Sequence, residues 1–137
     1  IVDSCGNITN TIEKGKPFTV RMKVQMHAPI EYPIFALSIK DPKGTEITGT
    51  NTMFEKTDFE VGPIMEISFE QDMNLQGGEY LLSLGCTGYN GTDFTVYHRL
   101  YDVCNITVVS DKNTVGYYDM NSKITVQTYE GTNICRK

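Results

Sequence analysis

Between residues 18 and 27 the chain alternates strictly. Phe18, Val20, Met22, Val24 and Met26 fall on one face, and Thr19, Arg21, Lys23, Gln25 and His27 on the other. A period of two is the signature of a half-buried strand. Glu13-Lys14-Gly15-Lys16-Pro17 reads as the turn before it. Ala28-Pro29 ends it, because proline brings no N–H to a ladder. The same pattern predicts strands over 32–40, with Phe35, Leu37 and Ile39 inward, over the Thr-rich 45–53, and over 64–69. Asp41-Pro42-Lys43-Gly44 is a turn, with Asp first, Pro presetting φ and Gly last. A polar loop spans 54–62. Further strands follow at 80–87, with Tyr80, Leu82, Leu84 and Cys86 on one face, and at 94–109, with Leu100, Val103, Ile106 and Val108 partly buried. A last short strand is predicted at 124–127. No segment has the spacing of an amphipathic helix. Seven or more short strands predict an all-β chain, an antiparallel two-sheet β-sandwich of immunoglobulin-like or jelly-roll-like type. The sandwich is placed at residues 1–128 and a flexible C-terminal tail at 129–137.

A chain of 137 residues fits one domain with a real core. Twelve basic against 17 acidic residues give a net charge of −5. With no basic stripe, this argues against nucleic acid or an anionic membrane as partner. No apolar run approaches the roughly 20 residues that span a bilayer.

The four cysteines, Cys5, Cys86, Cys104 and Cys135, form no C-x-x-C pair, and only two histidines accompany them. That spacing does not suit a structural metal site, and none is predicted. Three disulfide pairings are open. Cys86 and Cys104 lie on strands expected to pair, which would bring them within bridging distance. The other reading is four reduced, small hydrophobic residues. Asn7-Ile8-Thr9, Asn90-Gly91-Thr92 and Asn105-Ile106-Thr107 are glycosylation triplets that nominally favour secretion.

Catalysis has little to build on. His27 and His98 sit in no recognisable motif, and no phosphate loop, dinucleotide fingerprint or nucleophile elbow is present. No cofactor is predicted. Only the His98-Arg99-Tyr101 cluster would motivate an enzyme. Binding is better supported: eight tyrosines without a tryptophan offer surfaces that stack on sugar rings and still hydrogen-bond. Tyr89, Tyr97, His98, Arg99, Tyr101 and Asp102 gather within 14 positions as a candidate platform, with cross-strand packing as the plainer reading. Arg21 and Gln25, on the polar face of the first strand, are a second candidate groove floor or a solvated outer face. Asn51 and Thr52 are assigned a structural role, tying down the backbone of the adjoining loop, and Tyr80 a place inside the sheet.

Three stretches carry a family resemblance. The first is Gly15-Lys16-Pro17-Phe18-Thr19-Val20. The second runs from Tyr32-Pro33-Ile34-Phe35-Ala36-Leu37-Ser38-Ile39-Lys40-Asp41 through Gly44 to Thr48-Gly49-Thr50-Asn51-Thr52. The third is Leu75 with Gly77-Gly78-Glu79-Tyr80-Leu81-Leu82, then Tyr101-Asp102. Together, over roughly residues 1–127, they resemble the C-terminal carbohydrate-binding domain of Wzt-type polysaccharide (O-antigen) ABC transporter ATP-binding proteins. The resemblance implies a non-catalytic β-sandwich fused behind a nucleotide-binding domain, which would precede Ile1. It implies recognition of a finished lipid-linked glycan, a homodimer formed by strand exchange, and a partner exporter subunit in the membrane. It also implies a place at the cytoplasmic face of the inner membrane, with reduced cysteines. The competing expectation is an extracellular, disulfide-stapled Ig-like adhesion or structural module.

Overall fold

The computed structural model describes residues 1–130, and they form strands and connections without a helix. In chain order the strands are β1 (Thr11–Glu13), β2 (Pro17–Gln25), β3 (Tyr32–Lys40), β4 (Glu46–Asn51), β5 (Ile64–Asp72), β6 (Gly78–Asn90) and β7 (Asp93–Val109). Five build one sheet in the order β1-β7-β6-β3-β4, and β2 and β5 form a second.

The alternation of β2 does what its pattern predicts. Phe18 and Val20 are buried, while Arg21, Lys23 and Gln25 face solvent. Met65, Ile67 and Phe69 of β5 point the same way as the apolar positions of β2, and the small sheet presses them onto the large one. The main core joins Phe18 and Val20 to Leu37, Ile39, Tyr80, Leu82, Ile106 and Val108. A second cluster at the other end of the sandwich centres on Phe35, which is fully buried, with Ile30 and Cys86. The β4–β5 connection crosses between the sheets and lays the Phe59 ring 5.8 Å from that of Phe35.

Several expectations need correction. The large sheet is mixed, not wholly antiparallel, because β1 runs parallel to β7, with Ile12 opposite Val108. Three residues ending at the turn closed by Lys16 N–H on the Glu13 carbonyl are too few to show a period, yet Ile12 is buried in the core. Residues 124–127 form no strand, and Ile124 and Val126 are 85 % and 82 % exposed. Their alternation suits a sheet edge, but no described residue pairs with them. Leu100 and Val103 are exposed rather than partly buried, because this half of β7 reaches beyond the cover of the second sheet. Cys86 faces His98 and Cys104 faces Leu82, so the two cysteines stand four rungs apart along the ladder. At about 3.3 Å per residue that is far beyond bridging distance. Cys5, Cys86 and Cys104 are free thiols; Cys135 and residues 131–137 of the expected tail lie outside the described residues.

A strap, residues 110–121, closes one end of the sandwich. Tyr118 bridges Leu75, and the amides of Gln76 and Asp119 bond the carbonyls of Tyr117 and Asn74. Lys14 reaches the strap from the β1–β2 turn and pairs with Asp119.

Candidate functional site

The outward face of the large sheet is ordered in rows set by register. At one end Tyr32, Tyr89 and Phe94 stand side by side across three strands, with the Tyr89 and Phe94 rings 5.2 Å apart. Next comes Ile34, Thr87 and Val96. The middle rows are made of small residues. Asn51, Ala36, Gly85 and Arg99 form one, and Gly49, Ser38 and Ser83 the other. The result is a shallow floor with Arg99 rising at the β7 side. Gly49 belongs there for a steric reason: a Cβ on it would lie 2.7 Å from the Leu37 carbonyl oxygen.

β7 is not regular over this face. Its register slips against β6 at Cys86/Thr87, where Tyr97 is the extra residue, and again between Leu82 and Leu84. Such bulges re-aim side chains. At the second slip Asp102 adopts φ 52°, and its N–H donates to Ser83 Oγ at 3.0 Å. Lys40 Nζ lies 2.8 Å from Asp102 Oδ1, reaching across β6 to do so. Tyr101, immediately before this kink, is 67 % exposed. At the first slip Asn90 Nδ2 donates to Tyr97 Oη at 3.1 Å. Asn90 Oδ1 in turn accepts the Glu31 N–H at 2.8 Å, which fastens the β6–β7 hairpin to the β2–β3 loop.

The structure sorts the residues named from sequence into different places. Tyr89 and Arg99 share the outward face of the large sheet, and Tyr101 sits in the second bulge with Asp102 and Val103. His98 lies opposite Cys86, on the other face. Tyr97 sits in the first bulge. Arg21 and Gln25 belong to the second sheet, facing Ser68 and Ile64 across β5. Asn51 Oδ1 accepts the Phe54 N–H at 2.7 Å, and Thr52 Oγ1 accepts the buried Phe35 N–H at 3.2 Å. Tyr80 donates its hydroxyl to the Gln76 carbonyl, and burial pushes its pKa up. Lys40 and Ser83 of the floor were missed by sequence reasoning. Only the registers of β3 on β6 and of β6 on β7 bring them to Asp102, and no spacing along the chain announces it.

Two hollows lie away from this face. A polar cleft of about 740 Å³ opens beside the β1–β2 turn and the strap, with Lys14 and Asp119 in its lining. The Lys14 ammonium and the Asn121 N–H hold the Asp119 carboxyl well below the usual carboxylate range. A smaller, apolar recess of about 320 Å³ lies between residues 26–30 and 61–63. Among the described residues no group of three His, Cys, Asp or Glu side chains could hold a metal ion. No helix of the described residues is long and apolar enough to cross a membrane.

The family model of the Wzt C-terminal domain matches residues 1–120. The chain belongs to that family. A solved structure described as the crystal structure of the C-terminal domain of Wzt is similar to it with a TM-score of 0.82 and 23 % identity. That likeness covers 91 % of this chain and 78 % of the other, and it is one of fold. No similar sequence is found among curated proteins. In this Wzt C-terminal domain, the mixed five-stranded sheet is the element that presents the rows of aromatic, small and charged residues.

Proposed function

We propose that this Wzt C-terminal domain is a non-catalytic glycan-recognition module. In this reading it binds the finished lipid-linked polysaccharide of an ABC exporter, at the cytoplasmic face of the membrane, alongside an ATPase domain and a transmembrane subunit. One observation carries it. The outward face of the large sheet has a floor of Ala36, Ser38, Ser83 and Gly85, an aromatic row at one end and Arg99 along one side, with the exposed Tyr101 in the bulge that follows. A shallow, open floor suits an extended chain of sugar rings, and tyrosine edges supply both stacking and hydroxyl partners. Sugar hydroxyls trade water bonds for protein bonds, each with a net gain of about 0.5–1.5 kcal/mol, so affinity lies in the micromolar to millimolar range. The test is titration of the domain with polysaccharide purified from the surface of its source organism, followed by calorimetry and amide chemical shifts. Heat and shifts at Tyr89, Arg99 and Tyr101 support the reading. No heat and no shift, with both finished and unfinished chain ends, overturn it.

We also infer a homodimer in which β7 receives the partner. The neighbours of β7 are β6 along one edge and, along the other, β1 over Thr107–Val109 alone. Residues 93–106 therefore present an open edge, with Phe94, Val96, Leu100 and Val103 all exposed. Such an edge is a template for another strand. The alternating residues 124–127 of a second copy are the strand we assign to it. Removal of residues 122–137 then converts a dimer to a monomer in light scattering; a dimer that persists rules this pairing out.

A further inference from the structure

We propose that Asp102 is a sugar-contacting residue. Its carboxylate accepts hydrogen bonds from adjacent hydroxyls of the ring that stacks on Tyr101. The inference rests on the glycan reading of the outward face and adds to it a specificity-determining group and a ligand class.

Asp102 sits in a bulge within β7 and is held from several sides. Between the pairs Leu82–Cys104 and Leu84–Leu100, β7 spends three residues opposite the single Ser83. The middle one, Asp102, sits at φ 52°, a region that non-glycine residues enter at a cost. Its N–H is held by the buried Ser83 hydroxyl at 3.0 Å, and its Oδ1 by Lys40 Nζ at 2.8 Å. Aspartate enters this region as readily as asparagine, so the ion pair with Lys40, rather than the bulge, singles out its carboxylate. The carboxylate is used here, and only one side of it: among the described residues no other side chain or backbone donor bonds it. The side chain remains 43 % exposed beside Tyr101. An ionised carboxylate has about four acceptor sites. One anchored by an ammonium is preorganised, so little rotamer freedom is lost when hydroxyls bind the open oxygen. Bonds to a charged acceptor are also the stronger kind. The ligand class follows: a ring with free adjacent hydroxyls and no carboxylate of its own at that position, which Asp102 would repel.

The test uses the 137-residue chain and polysaccharide purified from the surface of its source organism. Asp102→Asn and Asp102→Gly both tolerate the left-handed φ, and both remove the charged acceptor. Each weakens binding at least about tenfold while the melting temperature stays near that of the parent. Periodate treatment of the polysaccharide, which cleaves adjacent diols, abolishes binding to the unaltered protein, and the Asp102 amide shifts on titration with untreated material. If Tyr101→Ala weakens binding while both Asp102 variants bind like the parent, the inference fails and the glycan reading stands. Undiminished binding of periodate-treated polysaccharide also overturns it. If the unaltered protein binds nothing, the glycan reading itself fails. Should Asp102→Asn misfold, Asp102→Gly and the amide shift decide the matter alone.

Discussion

Lys14 Nζ lies 2.7 Å from Asp119 Oδ2, with the two side chains only 9 % and 7 % exposed. The ammonium also donates to Gln76 Oε1 at 2.9 Å and to the Lys112 carbonyl at 2.6 Å, so its three protons are all used. A buried ion pair is safe only when so satisfied, and removing Lys14 leaves the Asp119 carboxylate to the exposed Lys112 ammonium at 3.2 Å and the Asn121 N–H. Lys14→Met therefore loosens the strap. Amides of residues 110–121 exchange faster with deuterium, and the melting temperature falls by several degrees, while the β3–β6 ladder stays protected.

The same pair sets an acid dependence. Lys14 and the Asn121 N–H depress the Asp119 pKa in the folded protein, whereas an unfolded aspartate titrates near pH ~4. A depressed carboxylate stabilises the fold fully above that pH, and the contribution is lost as pH falls below it. Denaturation of the parent and of Asp119→Asn at several pH values shows a stability gap that is constant above pH ~5 and narrows on acidification below pH ~4.

Thr52 joins the β4–β5 connection to β3. Its Oγ1 accepts the Phe35 N–H at 3.2 Å, in a buried place. Thr52→Val keeps the shape and removes the acceptor, so a buried donor is left without a partner. The cost is about 1–3 kcal/mol, read from urea midpoints. Phe35→Ala, at the fully buried centre of the distal cluster, costs about 3–5 kcal/mol. Ile8→Ala, at 88 % exposure, stays within about 0.5 kcal/mol of the parent.

Thiol reactivity separates the cysteines. Burial pushes the Cys86 thiol pKa up, and its residue is 5 % exposed, whereas Cys5 is open to solvent. The thiolate is the reactive species, so a disulfide reagent modifies Cys5 at once and Cys86 only as the domain opens. Equal rates at both, measured by peptide mapping in native buffer, would contradict the structure.

What the sequence disclosed depended on how local each feature is. Phe18 and Val20 alternate with Arg21 and Lys23, and β2 follows that alternation. The segment 32–40, bounded by prolines and a turn, is β3 as printed in its residues. The Asp41 turn is equally local: its carboxylate caps the Lys43 and Thr45 amides. Ile12 was hidden because three residues show no period and their partner is Val108, far along the chain. Leu100 keeps an inward rung opposite Leu84 but lies beyond the cover of the second sheet, and Val103 falls in a bulge that leaves no mark in hydropathy. The candidate site fared in the same way. Arg99 and Tyr101 were visible as residue types. Lys40 and Ser83 join them only through a register that spacing cannot reveal, while Tyr97 falls in the other bulge and His98 alternates to the opposite face.

Packing between β3 and β6 leaves no room at Gly88, where a Cβ would lie 2.6 Å from the Tyr32 carbonyl oxygen. Gly88→Ala must push the strands apart locally. It costs about 1–3 kcal/mol in chemical denaturation and perturbs the amide signals of Tyr32 and Tyr89 more than those of Ile12.

The parallel pairing of β1 with β7 has a consequence for synthesis. Thr11–Glu13 emerge from the ribosome early, yet the rung they need, Thr107–Val109, is among the last parts of the sheet to appear. Lys14 waits likewise for the Lys112 carbonyl, 98 positions on. The ladders of β2 on β5 and of β3 on β4 and β6 can assemble first, but the core stays open along one flank until β7 arrives. A nascent chain arrested before Thr107 thus exposes the apolar side of β2 and β6 with nothing to seal it. The arrival of Thr107–Val109, rather than growth of any earlier strand, is the event that closes this flank of the domain.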